Sequence, residues 1–391
     1  MKVLFVSNYM TQHQLPFANE MYRILGDDFL YLETNEFENE RKNMGWQSDF
    51  SDLPYLRKYR HIEDDSTVLA SDVVICGGTH FIYIKKRLDA GKLTFRYMER
   101  LYKNGRIHAF TPKGYLKKFS EHTKYNGQQA YLLCAGAYVP ADFDLFFGYK
   151  NKRLKWGYFP ETNNKEWAEI RSKKESDTIR ILWTGRMLGW KHCMDALMVA
   201  KRLMDKKISF SMQLIGNGED RAKAEDYINK YNLAEYVTIS DFVPANEVRN
   251  YMEGAHIYLM TSDFNEGWGA VVNEAMDSGC AVVASSGAGA VPYLIKDGIN
   301  GFVYKNGDVD ELSGIVERLC NDRESILSAG EKAHATIEKT WNANYAAERF
   351  CEFCKKVIES NDKNASHMFN DGPMSYADSI APAKGYKYTK G

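Results

Sequence analysis

Short apolar runs that stop at a turn recur along this chain, and they constrain its fold more than any other feature. The clearest series lies in the second half, in TIRILWTGR, FSMQLIGNG, YVTISDFV, AHIYLMTS and CAVVASS. Helical stretches separate most of these runs. Short buried strands that alternate with helices are typical of a parallel sheet with helices on both faces. We therefore predict a doubly wound α/β sheet in this half.

The first half of the chain shows the same alternation. VLFVS at residues 3–7 is predicted as a buried strand and residues 17–25 as a helix, which Gly26 ends. SDVVICGG, LTFRYM and QAYLLCAG supply three more strand candidates. A chain of 391 residues is long for a single core, so two Rossmann-like halves in series are the simplest interpretation.

Changes in polarity place the boundaries between these halves. The chain becomes polar and charged at NKRLKWGYFPETNNKEWAEIRSKKESD, which we interpret as the connection between domains. Near the end, a stretch with apolar residues at helical spacing precedes an aperiodic polar stretch that Gly and Pro interrupt. The predicted divisions are an N-terminal Rossmann-like domain at 1–160, a linker at 161–177, a C-terminal Rossmann-like domain at 178–343, a helix returning to the N-terminal domain at 344–360, and a mobile polar tail at 361–391.

Composition excludes some classes of protein. The formal net charge is −1 at pH 7, so overall charge gives no reason to expect a nucleic-acid partner. Seven cysteines in apolar contexts indicate buried thiols of a reducing compartment. The start MKVLFVSNYM is predicted as a strand and not as a signal peptide. No apolar run approaches the ~20 residues that span a bilayer, so we expect a cytoplasmic protein with membrane contact only at its surface.

Two cations follow the first strand of the second half, in TGRMLGWKH. Arg186 and Lys191 lie five residues apart, with glycines before and between them, and the segment is expected to open a helix whose first turns carry Lys191. Backbone amides, a helix dipole and two cations together suit a diphosphate. The alternative is a solvated helix start with unpaired cations.

Two glutamates flank two glycines in EGWGAVVNEAMDSG, residues 266–279. A helix interior has little use for such glycines, since each costs about 0.5–1 kcal/mol relative to alanine. We therefore expect the helix to begin near Ala270, with Glu266 in the loop before it and Glu274 within it. The amides expected to point at a phosphate or a sugar are those of Gly267, Trp268 and Gly269. For an isolated pair, the alternative is that Glu266 offsets the helix dipole while Glu274 lies on a wet face.

A glycine-rich turn, LIGNGED, ends the next strand. Gly216, Asn217 and Gly218 resemble part of a dinucleotide fingerprint, but Arg221 occupies the position of the third glycine. An ordinary tight turn is the alternative. The turns that carry GNG, DFVP and TSDFNEGWG each end a strand, and ligands of open α/β sheets bind at the carboxyl ends of strands. These loops are therefore predicted to share one site.

Taken in order, Arg186, Lys191, GNG, FVP, Glu-x7-Glu, AVVAS and DGINGFVY resemble the donor-binding half of the retaining glycosyltransferases of family 4. These enzymes have the GT-B fold, in which two Rossmann-like domains face each other across a cleft. The match covers roughly residues 178–345. It implies a nucleotide-diphosphate sugar as co-substrate, retention of anomeric configuration, and no required metal or other cofactor.

The resemblance also implies roles for individual residues. Arg186 and Lys191 hold the diphosphate, Glu266 contacts the donor sugar and Glu274 contacts the ribose. Gly216 and the Phe242–Val243 backbone flank the base. The predicted catalytic and donor-binding set comprises Gly185, Arg186, Lys191, Gly216, Asn217, Gly218, Phe242, Val243, Glu266, Gly267, Trp268, Gly269, Ala270 and Glu274.

The first half gives weaker candidates for the acceptor side. The loop NYMTQHQLP contains His13, which is expected either to reach a phosphate or an acceptor hydroxyl or to be plain surface. FRYMERLYKNG resembles a subgroup that acts on cell-surface polysaccharides, and it suggests Glu99 and Arg100 as active-site residues or as a cross-domain ion pair. The expected acceptor is a lipid-linked saccharide in the biosynthesis of such polysaccharides, at the inner face of the cell membrane.

The stretch from Lys85 to Lys124 is strongly basic, with twelve Lys and Arg residues against three acids and with interleaved aromatic residues. Such a surface is typical of docking on anionic lipid, where each cation adds about 1 kcal/mol. A solvated face or an RNA-like patch is the alternative. We predict contact with an anionic membrane and no nucleic-acid partner.

Three short motifs resemble metal sites. DFD at 142–144 and DVD at 308–310 match Asp-x-Asp, and Cys351 with Cys354 forms Cys-x-x-Cys. Such tripeptides occur by chance, and the cysteines lack a second pair. We predict no metal. The competing functions are a nucleotide-sugar epimerase of similar fold and a non-catalytic partner subunit with a degenerate site.

Overall fold

The computed structural model describes residues 1–35, 50–103, 110–360 and 365–381. The chain forms two compact units. The first combines Met1–Glu161 with Trp341–Ala381, and the second is built from Thr162–Thr340. Each contains a parallel sheet flanked by helices, so the prediction of two Rossmann-like doubly wound domains is confirmed.

The strands of the described residues are β1 (Val3–Ser7), β2 (Phe29–Glu33), β3 (Leu56–Lys58), β4 (Val73–Cys76), β5 (Thr94–Met98), β6 (Ala130–Ala135), β7 (Arg153–Trp156), β8 (Ile179–Thr184), β9 (Phe210–Ile215), β10 (Val237–Ser240), β11 (Ile257–Met260), β12 (Ala281–Ser285) and β13 (Phe302–Tyr304). The first sheet has the order β3-β2-β1-β4-β5-β6-β7, and the second has the order β10-β9-β8-β11-β12-β13. Named neighbours pair in parallel throughout.

The helices of the same ranges are α1 (Leu15–Leu25), α2 (His61–Ala70), α3 (Ile82–Asp89), α4 (Pro112–Glu121), α5 (Val139–Asp144), α6 (Trp167–Ser172), α7 (Cys193–Asp205), α8 (Arg221–Lys230), α9 (Ala245–Gly254), α10 (Ala270–Asp277), α11 (Val291–Leu294), α12 (Val309–Cys320), α13 (Arg323–Lys339) and α14 (Ala343–Ser360). Most of them connect consecutive parallel strands, as crossover helices do in such sheets.

Helix α14 belongs to the first unit although it follows the second unit in sequence. It packs on α1, and Phe350 lies at its centre with ring centroids 4.8 Å from Phe95 and 6.3 Å from Phe17. Phe17 also meets Trp156 edge to face at 5.1 Å. These aromatic side chains are all buried, so α14 completes the core of the first sheet.

The segment after α14 is an added strand-like piece of the first sheet. Lys155 of β7 donates its amide to Ser375 O at 2.7 Å and accepts from the Met374 amide at 2.9 Å. Met374 and Ala377 are buried. The prediction of a mobile tail is therefore wrong for residues 365–381, because the open backbone of edge strand β7 pairs with the segment regardless of its polar sequence. Residues 361–364 and 382–391 of the predicted tail lie outside the described residues.

The predicted linker is part of the second unit. Residues 162–177 contain α6, whose Ile170 is buried. The ammonium of Lys174 donates to the carbonyl oxygens of Glu253 at 3.1 Å and Ala255 at 2.6 Å, at the end of α9. The linker prediction is wrong, because α6 buries Ile170 and because Lys174 binds helix-terminal carbonyls, which need such donors.

Candidate active site

The loops at the carboxyl ends of β8, β9 and β11 bind one another. The Met187 amide donates to Asn217 O at 2.9 Å, which joins the loop after β8 to the loop after β9. The Asp263 amide donates to Trp190 O at 3.0 Å, which joins the same loop to the one after β11. Three predicted site loops therefore meet at one edge of the second sheet, as parallel strands require.

The two glycines of GNG are required by this close approach. A Cβ on Gly216 would lie 1.9 Å from Gly185 O, and one on Gly218 would lie 2.5 Å from Met187 O. Their φ angles are 144° and 152°, which L side chains rarely adopt. The glycines thus let the loops after β8 and β9 pack backbone against backbone.

Lys191 and Glu266 form an ion pair. The Lys191 Nζ donates to Glu266 Oε2, and the two side chains are only 17% and 13% exposed. Lys191 also lies over the Trp190 ring, 4.5 Å from its centroid. The sequence predicted separate contacts for the two groups, one on phosphate and one on sugar. In the structure they are each other's partner.

Arg186 differs from Lys191 although the same loop carries both. Its side chain is exposed, and within the described ranges it forms no ion pair. Among the described residues, no carboxylate therefore forms an ion pair with this guanidinium.

Helix α10 begins at Ala270, as predicted. Its N-cap is Gly269, with φ of 90° and no side-chain cap. A Cβ there would lie 2.9 Å from Met260 Cε and 3.4 Å from Glu266 Cγ. The uncapped N-terminus, with its partial positive charge, therefore lies directly against the glutamate of the Lys191–Glu266 pair.

Trp268 is not a ligand-facing ring. Its side chain is buried, and its Nε1 donates to Oδ1 of Asn273, which lies in α10, at 2.8 Å. Its carbonyl accepts from the Ala290 amide at 2.9 Å. The ring therefore anchors the turn that holds Gly267 and Gly269, which leaves the predicted ligand contact to the backbone alone.

Glu274 lies one turn into α10. Burial raises the pKa of its carboxyl, and the nearby Arg249 opposes that rise. Arg249 Nη1 donates to the Glu274 backbone oxygen at 3.0 Å and to Asp277 Oδ2 at 2.9 Å. Sequence analysis missed Arg249, because nothing in α9 marks which of its faces meets α10.

The sequence analysis also missed a histidine–aspartate pair beside the site. His192 has φ of 50° at the start of α7, and its Nε2 lies 3.3 Å from Asp263 Oδ2. Burial works against the charged imidazole, but the bond to Asp263 and the nearby charge of Asp195 raise the pKa of His192. Burial also raises the pKa of Asp195 to about 6. The signal in the sequence was the histidine that ends GWKH and the aspartate of TSDF, which are His192 and Asp263.

The loop after β10 adds another charged pair. Asp241 Oδ1 accepts from Asn217 Nδ2 at 2.9 Å and from Arg221 Nη1 at 2.6 Å. Phe242 follows with an exposed ring, and Val243 is partly buried. Arg221, which replaces the third glycine of the fingerprint, therefore fastens the GNG turn to the Phe242–Val243 loop.

A cavity of about 370 Å³ opens within the first unit at the carboxyl ends of its strands. His13 and Tyr158 stack at its wall, with ring centroids 5.8 Å apart and planes inclined by 13°. Tyr158 Oη donates to Glu99 Oε1 at 2.7 Å, and Lys103 Nζ donates to Glu99 Oε2 at 2.6 Å. His13 and Glu99, predicted separately, thus share one pocket.

Arg100 has a different environment. It borders the cavity, but its side chain is only 1% exposed and its Nη2 lies 3.3 Å from Asp142 Oδ1. Asp142 Oδ2 accepts from the amides of Leu101 and Tyr102 at 3.0 and 3.1 Å. Arg100 therefore has an ion-pair partner within its own unit.

The basic stretch is less exposed than its sequence suggested. Arg87, Arg96 and Arg100 are buried, and Arg87 donates to four backbone carbonyls around it. Arg106 lies outside the described residues. Most of the remaining lysines are exposed. The stretch therefore presents fewer surface cations than its sequence contains, since backbone carbonyls bind Arg87 and Asp142 pairs with Arg100.

The motifs that resemble metal sites make other contacts. Asp142 and Asp144 pair with Arg100 and Arg153, and Asp308 caps α12. Cys351 lies within α14, where burial raises its pKa to about 11. The described part of the chain contains no group of three or more His, Cys, Asp or Glu side chains placed for a metal ion.

The described helices include none that combines the length and apolar character needed to cross a bilayer.

The fold is that of the GT-B glycosyltransferases. The chain is similar to the crystal structure of HepE from Anabaena in complex with UDP, with a TM-score of 0.65, 14% identity, and coverage of 91% of this chain and 100% of that one. At this identity the likeness establishes the fold alone. Residues 165–339, most of the second unit, match the family model of glycosyl transferases group 1.

Two relatives illustrate the sequence similarity. The amylovoran biosynthesis glycosyltransferase AmsK of Erwinia amylovora is 27% identical over 184 residues, which are 46% of this chain and 45% of that protein. The putative colanic acid biosynthesis glycosyltransferase WcaL of Salmonella typhimurium is 22% identical over 153 residues, or 38% of this chain and 37% of its own. The chain therefore spans less than half the length of either relative.

Proposed function

We propose that the protein is a retaining, metal-independent glycosyltransferase of family 4. It moves a sugar from a nucleotide-diphosphate donor to a hydroxyl of a saccharide acceptor in cell-surface polysaccharide biosynthesis. The names of AmsK and WcaL, the group 1 match and the UDP bound to HepE support this assignment. The observation that carries it is the meeting of Arg186, the Lys191–Glu266 pair and the uncapped N-terminus of α10 at one sheet edge.

This edge supplies what a departing nucleotide diphosphate needs. Arg186 provides an unpaired cation, and the N-terminus of α10 provides partial positive charge. A bound diphosphate competes with Glu266 for Lys191, and the freed carboxylate then accepts hydrogen bonds from sugar hydroxyls. Stabilising the negative charge that develops on the leaving group is the main catalytic contribution. Cations and helix amides supply the positive charge for this, in place of a metal ion.

Glu274 and the turns after β9 and β10 complete the donor site in this proposal. Glu274 binds the ribose hydroxyls, while Gly216 and the Phe242–Val243 backbone flank the base. The raised pKa of Glu274 is compatible with this role, because a carboxyl short of partners in the free protein gains them from a ribose.

The first unit binds the acceptor. A cavity of about 370 Å³ is within the range of small-molecule sites. The stacked His13 and Tyr158 rings offer an apolar surface to a sugar ring, and the oriented Glu99 carboxylate accepts from its hydroxyls. A lipid-linked saccharide acceptor places the protein peripherally on the cytoplasmic face of the membrane.

A donor screen tests the proposal. The purified protein is incubated with UDP-, GDP- and ADP-sugars, and nucleotide release and the anomeric configuration of the product are followed by NMR. Release of the nucleotide diphosphate with retained configuration is expected. An isomerised donor without release would instead identify an epimerase, and binding without turnover would identify a partner subunit. An inverted product would refute the retaining assignment.

A further inference from the structure

Helix α4 of the first unit turns its apolar side to solvent. Tyr115, Leu116 and Phe119 lie on one face, because their spacing matches the helical repeat. They are 37%, 65% and 44% exposed, and no residue of the helix is buried. A surface helix of a globular protein normally buries this side.

The side of α4 nearer the protein is polar. Gly114, Lys118 and Glu121 are its less exposed residues. Burial lowers the pKa of Lys118, and the positive charges of Lys117 and Arg96 add to that effect. Arg96 is itself buried, and among the described residues its Nε and Nη1 have no hydrogen-bond partner. An apolar core contact therefore does not account for the orientation of the helix.

Two further aromatic side chains near α4 are exposed. Phe110, just before the helix, is 73% exposed, and Phe147 is 66% exposed. The loop of Phe147 is bonded to the turn that follows α4, through Asn126 Nδ2 and Phe147 O at 2.6 Å. We call Phe110, Tyr115, Leu116, Phe119 and Phe147 the apolar patch.

The charges around the patch are mainly positive. Lys113 and Lys117 are exposed on α4, and Lys124 is exposed just after it. Glu121 is the only acid of the helix; it lies on the less exposed side, 3.9 Å from Lys117. Long lysine side chains can extend toward anionic groups while their stems cover apolar surface.

We propose that the apolar patch docks on an anionic lipid bilayer, with Leu116, Phe119 and Phe110 entering the headgroup region and the lysines contacting lipid phosphates. This inference rests on the proposed function only in that a lipid-linked acceptor resides at such a surface. The charges favour a bilayer over a second copy of the chain, since a two-fold interface would place Lys113 and Lys117 close to their own counterparts. Buried apolar area together with attraction to anionic lipid is the usual basis of such docking.

Vesicle co-sedimentation tests the docking. The full chain is mixed with vesicles of phosphatidylcholine alone or with 30% phosphatidylglycerol, a chosen composition at which anionic docking is expected to be measurable. The wild type is expected to bind the anionic vesicles, and Leu116→Ser with Phe119→Ser is expected to reduce the partition coefficient by about tenfold or more. Ile299→Ser, an exposed apolar position in the second unit, is the matched control and should leave binding unchanged.

Other outcomes overturn the proposal. Equal binding to both kinds of vesicle would refute the anionic partner, and unchanged binding of the double variant would refute the patch. A dimer in solution that the double variant dissolves would show that a second copy covers this face. Donor hydrolysis in solution, measured on the same samples, keeps the two proposals distinguishable. Hydrolysis without vesicle binding refutes only the docking, and vesicle binding without hydrolysis refutes only the proposed function.

Discussion

Replacing Gly216 by alanine should separate the loops that build the candidate donor site. The added Cβ would lie 1.9 Å from Gly185 O, where ordinary contact begins near 3.4 Å, so the two backbones must move apart by about 1.5 Å. Two backbone hydrogen bonds fix the present positions of Gly216 and Gly185. The Gly216 amide donates to Ser240 O at 2.9 Å, and the Gly185 amide donates to Ile215 O at 3.0 Å. Each contributes about 1 kcal/mol.

The left-handed backbone adds its own cost. A non-glycine residue at such φ costs roughly 1–2 kcal/mol, so Gly216→Ala should lose about 3–4 kcal/mol of stability. Gly298→Ala is the matched control, because Gly298 has φ of 70° and nothing within 4 Å of its added Cβ. It should lose only the backbone part. The difference of about 2 kcal/mol corresponds to about 4–8 °C in the melting temperature of a unit of this size.

Calorimetric melting of both variants, together with titration of the nucleotide diphosphates, provides the assay. Gly216→Ala should also weaken nucleotide binding, since the displaced loop carries Arg186 and Lys191, whereas Gly298→Ala should not. Equal melting temperatures for the two variants would refute the close-approach argument. A destabilised Gly216→Ala protein with unchanged nucleotide affinity would show that the loop packing does not position the cations.

Three further predictions concern charged groups of the second unit. Lys191→Ala should lower turnover by about 10²–10³-fold, because it removes a positive charge that stabilises the leaving group. Lys206→Ala, which removes an exposed lysine paired elsewhere, should leave turnover unchanged. Equal rates for the two variants would refute the diphosphate role. Because the pKa of His192 is raised in the folded protein, its pairing stabilises the fold fully at pH values below the ordinary histidine pKa. This stabilisation is lost as pH rises through the pKa of His192 in the folded protein. Urea denaturation should therefore show the advantage of wild type over His192→Gln shrinking from pH 5 to pH 8, and a constant difference would contradict it. Arg249→Ala should cost about 3–5 kcal/mol by leaving buried Asp277 without its arginine, against less than about 1 kcal/mol for Arg202→Ala at an exposed pair; similar chemical-denaturation midpoints for the two would contradict this expectation.

The alternation of strands and helices was predictable because each buried strand is a contiguous apolar run. The start of α10 at Ala270 followed from the cost of glycine in a helix, which is a local property. Such features depend on neighbours in sequence. The Rossmann-like architecture of both units followed from them without reference to distant contacts.

Contacts between distant residues were not predictable in the same way. Lys191 and Glu266 are 75 positions apart, and only the packing of the loops after β8 and β11 makes them partners. Arg87 and Lys174 looked like surface charges, but both bind backbone carbonyls inside the fold. A charged residue in sequence carries no mark that distinguishes water from a helix end as its partner.

The first unit is assembled from both ends of the chain, whereas Thr162–Thr340 is continuous. During synthesis the second unit is therefore complete before α14 has left the ribosome. The first sheet must wait until then for Phe350, which fills its core, and later still for the segment that covers edge strand β7. We expect nascent chains to expose that unfinished core, and to depend most on chaperones, while the continuous unit already folds.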